Sequence, residues 1–187
     1  ELRLTIALAA RGIFLAAGST SATVERICET VGIAPRTFHR HFPVKEDVVL
    51  ADYADRLGRI TQLLARRPAS EPPWTALRAA FLVVASDYEI ERPQLVRRFR
   101  IMAATPSVFA RSLQLQAGWE DRVAEAMARR GPHGPDGDIG PRLMASAALA
   151  AMRSSLGHWL ATDARDPLPV LVEGCFARLA AGLADRP

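Results

Sequence analysis

The chain has 187 residues, enough for one large domain or two small ones with a hydrophobic core. Hydrophobic residues make up 49% and no long stretch alternates like a strand, so the composition favours an all-α fold. The net charge of +4 argues only weakly for a nucleic-acid partner, and the absence of an apolar run of about 18 residues argues against a membrane span.

The two cysteines, Cys28 and Cys175, lie far apart in apolar helical patterns and have no CxxC partner. This usage is typical of small buried side chains in a reducing compartment, so a cytoplasmic location is predicted, with a redox role as the alternative. The chain begins at Glu1 rather than Met, which leaves open a short N-terminal arm.

A first helix is predicted from Leu4 to Ala17, ending at Gly18. Its apolar positions include Leu4, Leu8, Ile13 and Phe14, which we expect to pack across the back of the next two helices.

Two short helices joined by a tight turn are predicted between Thr23 and Lys45. Gly32 can take the left-handed conformation that closes the first helix, and Pro35 suits the first turn of the second. Phe38 and Phe42, four residues apart, bury the inner side of the second helix. The side chains left facing outward are polar or cationic: Arg36, Thr37, His39, Arg40 and His41. Together these features predict a helix-turn-helix.

Lys45, Glu46 and Asp47 are predicted to open a long helix that reaches about Arg66. The two carboxylates suit the positive end of the helix dipole and the lysine does not. We therefore expect a phosphate near Lys45, an ordinary solvated lysine being the alternative.

Five further helices are predicted beyond a proline-rich break at residues 67–73. They run from about Trp74 to Glu89, from Pro93 over a short stretch, from Thr105 to Arg130, from about Pro141 to Ala161, and from Asp166 to near Ala184, with GPHGPDGDIGP as a loop. The prediction is therefore nine helices, three in an N-terminal helix-turn-helix domain (1–44) and six in a C-terminal ligand-binding and dimerisation domain (45–187).

The stretch GIFLAAGSTSATVERICETVGIAPRTFHRHFPVKEDVV resembles the N-terminal DNA-binding domain of the TetR/AcrR family of bacterial regulators. The specific part is TVxxIxxxVGIxxxTFxxHFxxKED, about a dozen ordered positions. Ala22 and Ala34 stand where the family usually has a capping Ser or Thr, and we expect Ser21 to replace the first cap.

The resemblance implies that double-stranded DNA is the partner and that one set of residues contacts its backbone: Thr23, Thr37, His39, His41 and Lys45. Arg36 and Arg40 are the candidates for reading bases, because a guanidinium can pair with both major-groove acceptors of guanine.

A homodimer is expected, because one such domain contacts only a few base pairs. The last two helices are the predicted interface, through a small-residue face and an apolar stripe: Ala145, Ala148, Ala151 and Ser155, and Leu171, Cys175, Leu179 and Leu183. The alternative is that these faces complete the core of the monomer.

The resemblance also implies that the C-terminal domain encloses a small-molecule effector. Polar residues on apolar helical faces, Arg98, Gln116 and Glu120, could orient it among Phe109, Trp119 and Met127. The alternative is that Arg98 and Glu120 pair with each other or reach solvent. From Arg92 onward the chain resembles a domain type associated with acyl-CoA-like ligands.

The leading functional prediction is a ligand-responsive regulator, a repressor that binds a palindromic operator as a dimer. An architectural protein that binds DNA without sequence preference is the alternative. No Ser/His/Asp, Cys/His or metal-ligand cluster has useful spacing, so neither an enzyme nor a metal or cofactor is expected. The operator, the effector, the regulated genes and the sign of the response stay open.

Overall fold

The structure is a computed structural model that describes residues 1–130 and 139–182. Over these residues the chain is all-helical, as predicted, with nine α-helices and one 3-10 turn at Lys45–Val48. The helices are α1 Leu2–Ser21, α2 Val24–Val31, α3 Pro35–His41, α4 Ala51–Ala65, α5 Pro73–Ile90, α6 Arg92–Ala104, α7 Pro106–Ala128, α8 Ile139–Ala161 and α9 Leu168–Ala181.

The helix predicted to open at Lys45 begins later than expected. Lys45–Val48 forms only a 3-10 turn, and α4 starts at Ala51. Because so short a turn aligns few peptide dipoles, the helix dipole gives no reason to expect a phosphate beside Lys45. Of the predicted loop at 131–141, residues 131–138, with His133, lie outside the described residues, and residues 139–141 begin α8 instead. The predicted end of α9 near Ala184, with Leu183, also lies outside the described residues.

The chain divides into two compact units, the first made of residues 1–55 and 93–116, the second of residues 56–92 and the described residues from 117 onward. In the first unit α1 packs on α2 and on the 3-10 turn. Its buried side is Ile6, Ala10 and Phe14, whereas Leu4 and Leu8, which we expected inside, are 56% and 58% exposed. The regular helix is interrupted at Gly18, whose φ is 74°.

The second unit is built on α5, α8 and α9, which pack against one another. Aromatic rings fill its core: the Phe176 ring lies 4.8 Å from Trp74 and 5.6 Å from Phe81, centroid to centroid, and Trp159 is fully buried. Arg59 binds Asp87 and Arg56 binds Glu91, which ties the α4 residues of this unit to α5 and its C-terminal end.

Of the two cysteines, Cys28 is buried and Cys175 is half-buried, and both are free thiols. Burial raises the pKa of the Cys28 thiol, and the nearby Glu25 carboxylate adds to the rise, so this thiol is poorly reactive. In the part of the chain that is described, no helix is both long and apolar enough to cross a bilayer.

Candidate nucleic-acid interface

The first helix of the motif, α2, is bounded by local signals in the sequence. Thr23 is its N-cap, with Oγ1 accepting a hydrogen bond from the Arg26 N–H at 3.2 Å, so the expected cap by Ser21 is wrong; Ser21 is the last residue of α1. Gly32 closes the helix in the left-handed conformation (φ 73°, ψ 40°), as predicted, and its N–H donates to the Cys28 carbonyl at 2.8 Å.

The second helix of the motif, α3, has seven residues and starts at Pro35, also as predicted. Its N-cap, Ala34, provides no side-chain hydrogen bond. Phe38 and Phe42 are both fully buried, with ring centroids 5.8 Å apart. These two rings anchor the helix from behind, so its opposite side is turned outward.

The outward side of α3 is cationic. Arg36 and Arg40 are exposed, the imidazole of His39 is exposed beside them, and the helix itself contains no acidic residue. A cluster of arginines on an exposed helix can bind phosphate oxygens and the acceptor edges of bases.

The remaining predicted DNA-contact residues surround this face but are less accessible. Thr37 and His41 are half-buried, and Nε2 of His41 is enclosed without a hydrogen-bond partner among the described residues. Thr23 is exposed, although its hydroxyl oxygen already accepts a bond as the cap of α2. Lys45 is half-buried at the first position of the 3-10 turn.

An ion pair that the sequence did not reveal lies within the first unit. Arg111 on α7 binds Asp47 of the 3-10 turn through two hydrogen bonds, Nε to Oδ1 at 2.7 Å and Nη2 to Oδ2 at 3.2 Å. Hydrogen bonding to this carboxylate raises the pKa of Arg111. The partners are 64 residues apart, so no local pattern could indicate the contact.

The six residues predicted to bind an effector are divided between the two units. In the first unit Arg98 is buried and Gln116 half-buried, while Phe109 is 50% exposed. In the second unit Trp119 and Met127 are buried, and Glu120 accepts a hydrogen bond from the Ser146 hydroxyl at 2.5 Å.

Two clefts of the second unit contain none of these six residues. One, of about 450 Å³, is lined by Asp121, Glu125 and Arg142, among others, and the other, of about 290 Å³, by Thr61, Arg67 and Arg130, among others. Neither cleft therefore corresponds to the predicted effector site.

The predicted dimer interface requires a correction on α8. Ala148, Ala151 and Ser155 are at most 3% exposed in the single chain, and Ala145 is fully buried, because α8 packs this face on α5 and α9. The Ser155 hydroxyl contacts Sγ of Cys175 at 3.3 Å. Side chains enclosed by their own subunit have no surface left for a partner, so this face belongs to the core of the unit.

Other faces of α8 and α9 are open to solvent. On α8, Leu143, Ser154 and Gly157 are exposed, with Ala147 and Ala150 half-buried between them. On α9, Val170 and Ala177 are exposed. Leu171, Cys175 and Leu179, the predicted interface residues of α9, are half-buried, and their contact with a partner stays a prediction.

Comparison with known proteins gives the family. Residues 6–51 match the model described as bacterial regulatory proteins of the tetR family, and residues 71–184 match the MftR C-terminal domain. MftR of Mycobacterium tuberculosis, described as a mycofactocin biosynthesis transcriptional regulator, is 31% identical over 171 residues, 91% of this chain and 85% of MftR. The chain belongs to the TetR family.

A second relative and two solved structures are also similar to this chain. The HTH-type transcriptional regulator TcmR of Streptomyces glaucescens is 33% identical over 153 residues, 79% of this chain and 68% of TcmR. FadR of Thermus thermophilus, a TetR family repressor solved with lauroyl-CoA, has a TM-score of 0.62 at 24% identity, covering 99% of this chain and 96% of its own. FadR of Bacillus halodurans has a TM-score of 0.64 at 18% identity, covering 99% and 97%. The two likenesses to solved structures concern the fold alone.

Proposed function

We propose that this TetR family protein is a ligand-responsive repressor that binds a palindromic operator as a homodimer in the cytoplasm. The observation that carries the proposal is the construction of α3. Two fully buried phenylalanines, Phe38 and Phe42, hold it, and its other side carries two exposed arginines with no acidic residue in the helix. This is the arrangement that a recognition helix needs to enter a major groove.

The proposed roles follow from side-chain chemistry and exposure. Arg36 and Arg40, both exposed, read guanine bases. His39 and Thr37 bind phosphates beside them, and so does Lys45. The Thr23 hydroxyl accepts the Arg26 N–H but keeps its own hydrogen, which it can donate to a phosphate. His41, whose Nε2 is enclosed, has only Nδ1 left for such a bond.

The dimer is proposed to form through the open faces of α8 and α9, those carrying Ser154 and Gly157 on α8 and Ala177 on α9. Small residues there let helices approach closely, and two helices from each subunit would form a four-helix bundle. A two-fold dimer presents two copies of α3, which accounts for a palindromic operator.

The effector is proposed to be an acyl-CoA-like molecule. An acyl chain suits buried apolar side chains such as Trp119 and Met127 of the second unit, and arginine side chains suit its phosphates. The lauroyl-CoA bound to the FadR neighbour supports this class. Calorimetry against acyl-CoA esters of increasing chain length should give saturable heat; no heat from any of them, with binding of a different ligand class, would exclude the proposal.

Selection of bound sequences from random duplex DNA tests the function itself. We expect an inverted repeat whose half-sites are spaced for two recognition helices on one face of the duplex. Retention of DNA without any enriched sequence, with an affinity that falls steeply with salt, would indicate the architectural alternative instead.

A further inference from the structure

The guanidinium of Arg3, near the start of α1, makes two contacts with the end of α3. Its Nη1 donates a hydrogen bond to the His41 carbonyl at 3.2 Å, and its Cζ lies 4.7 Å from the centroid of the Phe42 ring. Arg3 precedes residues 6–51, the segment that matches the family's DNA-binding domain, so the match assigns it no role.

The first contact gives a carbonyl at the C-terminal end of α3 a hydrogen-bond donor. His41 is the last residue of the helix, and carbonyls in the last turn have no partner within the helix. A cation placed there is also favoured by the helix dipole, whose negative end it faces. The hydrogen bond therefore stabilises the final turn and fixes where it lies relative to α1.

The second contact covers an anchor of the helix. Phe42 is fully buried, although Pro43 and Val44, which follow it, are exposed. A guanidinium over an aromatic ring is attracted by the ring's negative face, and the arginine stem excludes water from its edge. The position of Arg3 accounts for the enclosure of a ring so close to solvent.

The helix that Arg3 contacts has little stability of its own. It has seven residues and lacks a side-chain N-cap. A helix this short does not persist without tertiary contacts, so its direction depends on the groups that hold it. Phe38 and Phe42 hold its inner side, and Arg3 holds its C-terminal end.

We propose that Arg3 is a positioning residue for DNA recognition, which sets the orientation of α3 without touching DNA itself. The inference rests on the proposed role of α3 as the recognition helix. A tilted α3 would misplace Arg36 and Arg40 relative to base edges, whereas contacts with phosphates tolerate such a shift more easily. Loss of Arg3 should therefore reduce specificity more than it reduces general affinity.

Hydrogen exchange of the free protein tests the positioning without DNA. In Arg3→Ala the backbone amides of residues 37–42 should exchange at least about threefold faster than in the unmodified chain. Thr5→Ala is the control, since the exposed Thr5 side chain lies near Arg3 on the same helix and its hydroxyl donates to the Glu1 carbonyl at the start of α1. Equal protection of residues 37–42 in the two variants would overturn the proposal.

Binding to the selected operator and to a scrambled duplex gives the second readout. We expect Arg3→Ala to bind the operator about fivefold more weakly than the unmodified protein does. Its affinity for the scrambled duplex, and the slope of log affinity against log salt, should be unchanged. Arg3→Lys should recover less than half of the loss, because lysine lacks the planar guanidinium. An equal loss of affinity for both duplexes, together with a slope of log affinity against log salt that is smaller by about one, would show that Arg3 itself contacts a phosphate. If no operator is selected, the proposed function fails, and the exchange experiment still decides the role of Arg3.

Discussion

At the scale of single residues, the outward face of α3 is proposed to carry base-reading and phosphate-binding side chains, and removal of the two kinds should affect DNA binding differently. Arg36 is exposed on the face opposite Phe38 and is proposed to pair with guanine. Arg36→Ala should cost about 1–3 kcal/mol of binding on the selected operator and relax its sequence preference at one position per half-site. Repeating the selection with the variant measures this, and equal losses on operator and scrambled DNA would contradict the assignment.

Lys45 should behave differently from Arg36. It is half-buried on a 3-10 turn, and a DNA contact there is supported by its charge and by its place in the family motif. Lys45→Ala should weaken binding to all duplexes alike and lower the slope of log affinity against log salt by about one. The measurement is a titration at several salt concentrations, and an unchanged slope would remove Lys45 from the interface.

At the scale of helices, the buried side of α3 should contribute to the stability of the fold, whereas its outward side should contribute charge for DNA binding. Phe38 is fully buried, and Phe38→Ala leaves a cavity that should destabilise the protein by about 3–5 kcal/mol. Val44→Ala, at a site 40% exposed next to the same helix, should have a much smaller effect. Urea denaturation of both variants makes the comparison, and similar midpoints would mean that Phe38 does not anchor α3.

The faces of α8 allow an equally direct test of the dimer. Ser154 is exposed on the open face, so Ser154→Arg should give a folded monomer in light scattering, with helicity retained. Ser86→Arg is the matched control, because Ser86 is exposed on α5 and only bonds the Leu82 carbonyl of its own helix. A Ser154→Arg protein that stays dimeric would place the interface elsewhere.

The sequence predicts where the helices of the motif begin and end better than it predicts which faces of the later helices are buried. Gly32 and Pro35 mark the turn of the motif through their own backbone preferences, which act locally and are readable without a structure. The outward face of α8 was not readable, because alanines occur on every side of that helix and give no apolar stripe. The ion pair of Asp47 with Arg111 depends on the tertiary fold, which no local pattern contains.

At the scale of the whole molecule, an effector must change how tightly DNA is held, and the Asp47–Arg111 ion pair is a physical route for this coupling. Asp47 follows α3 closely in the chain, while Arg111 lies on α7 between Phe109 and Gln116, two predicted effector residues. A movement of this part of α7 would be transmitted to the 3-10 turn through two hydrogen bonds.

Removal of the ion pair should therefore reduce the coupling between effector binding and DNA binding more than it reduces the affinity for either ligand alone. With lauroyl-CoA as the probe, operator affinity of the unmodified protein should fall about tenfold, and that of Arg111→Ala by less than about threefold. Arg78→Ala removes a bidentate ion pair to Glu173 in the second unit and should leave the coupling intact. Fluorescence titrations with and without the probe measure both ratios. Because coupling free energies are reciprocal, operator DNA should weaken lauroyl-CoA binding by the same factor in each protein. A tenfold response that survives in Arg111→Ala would mean that the signal reaches α3 by another path.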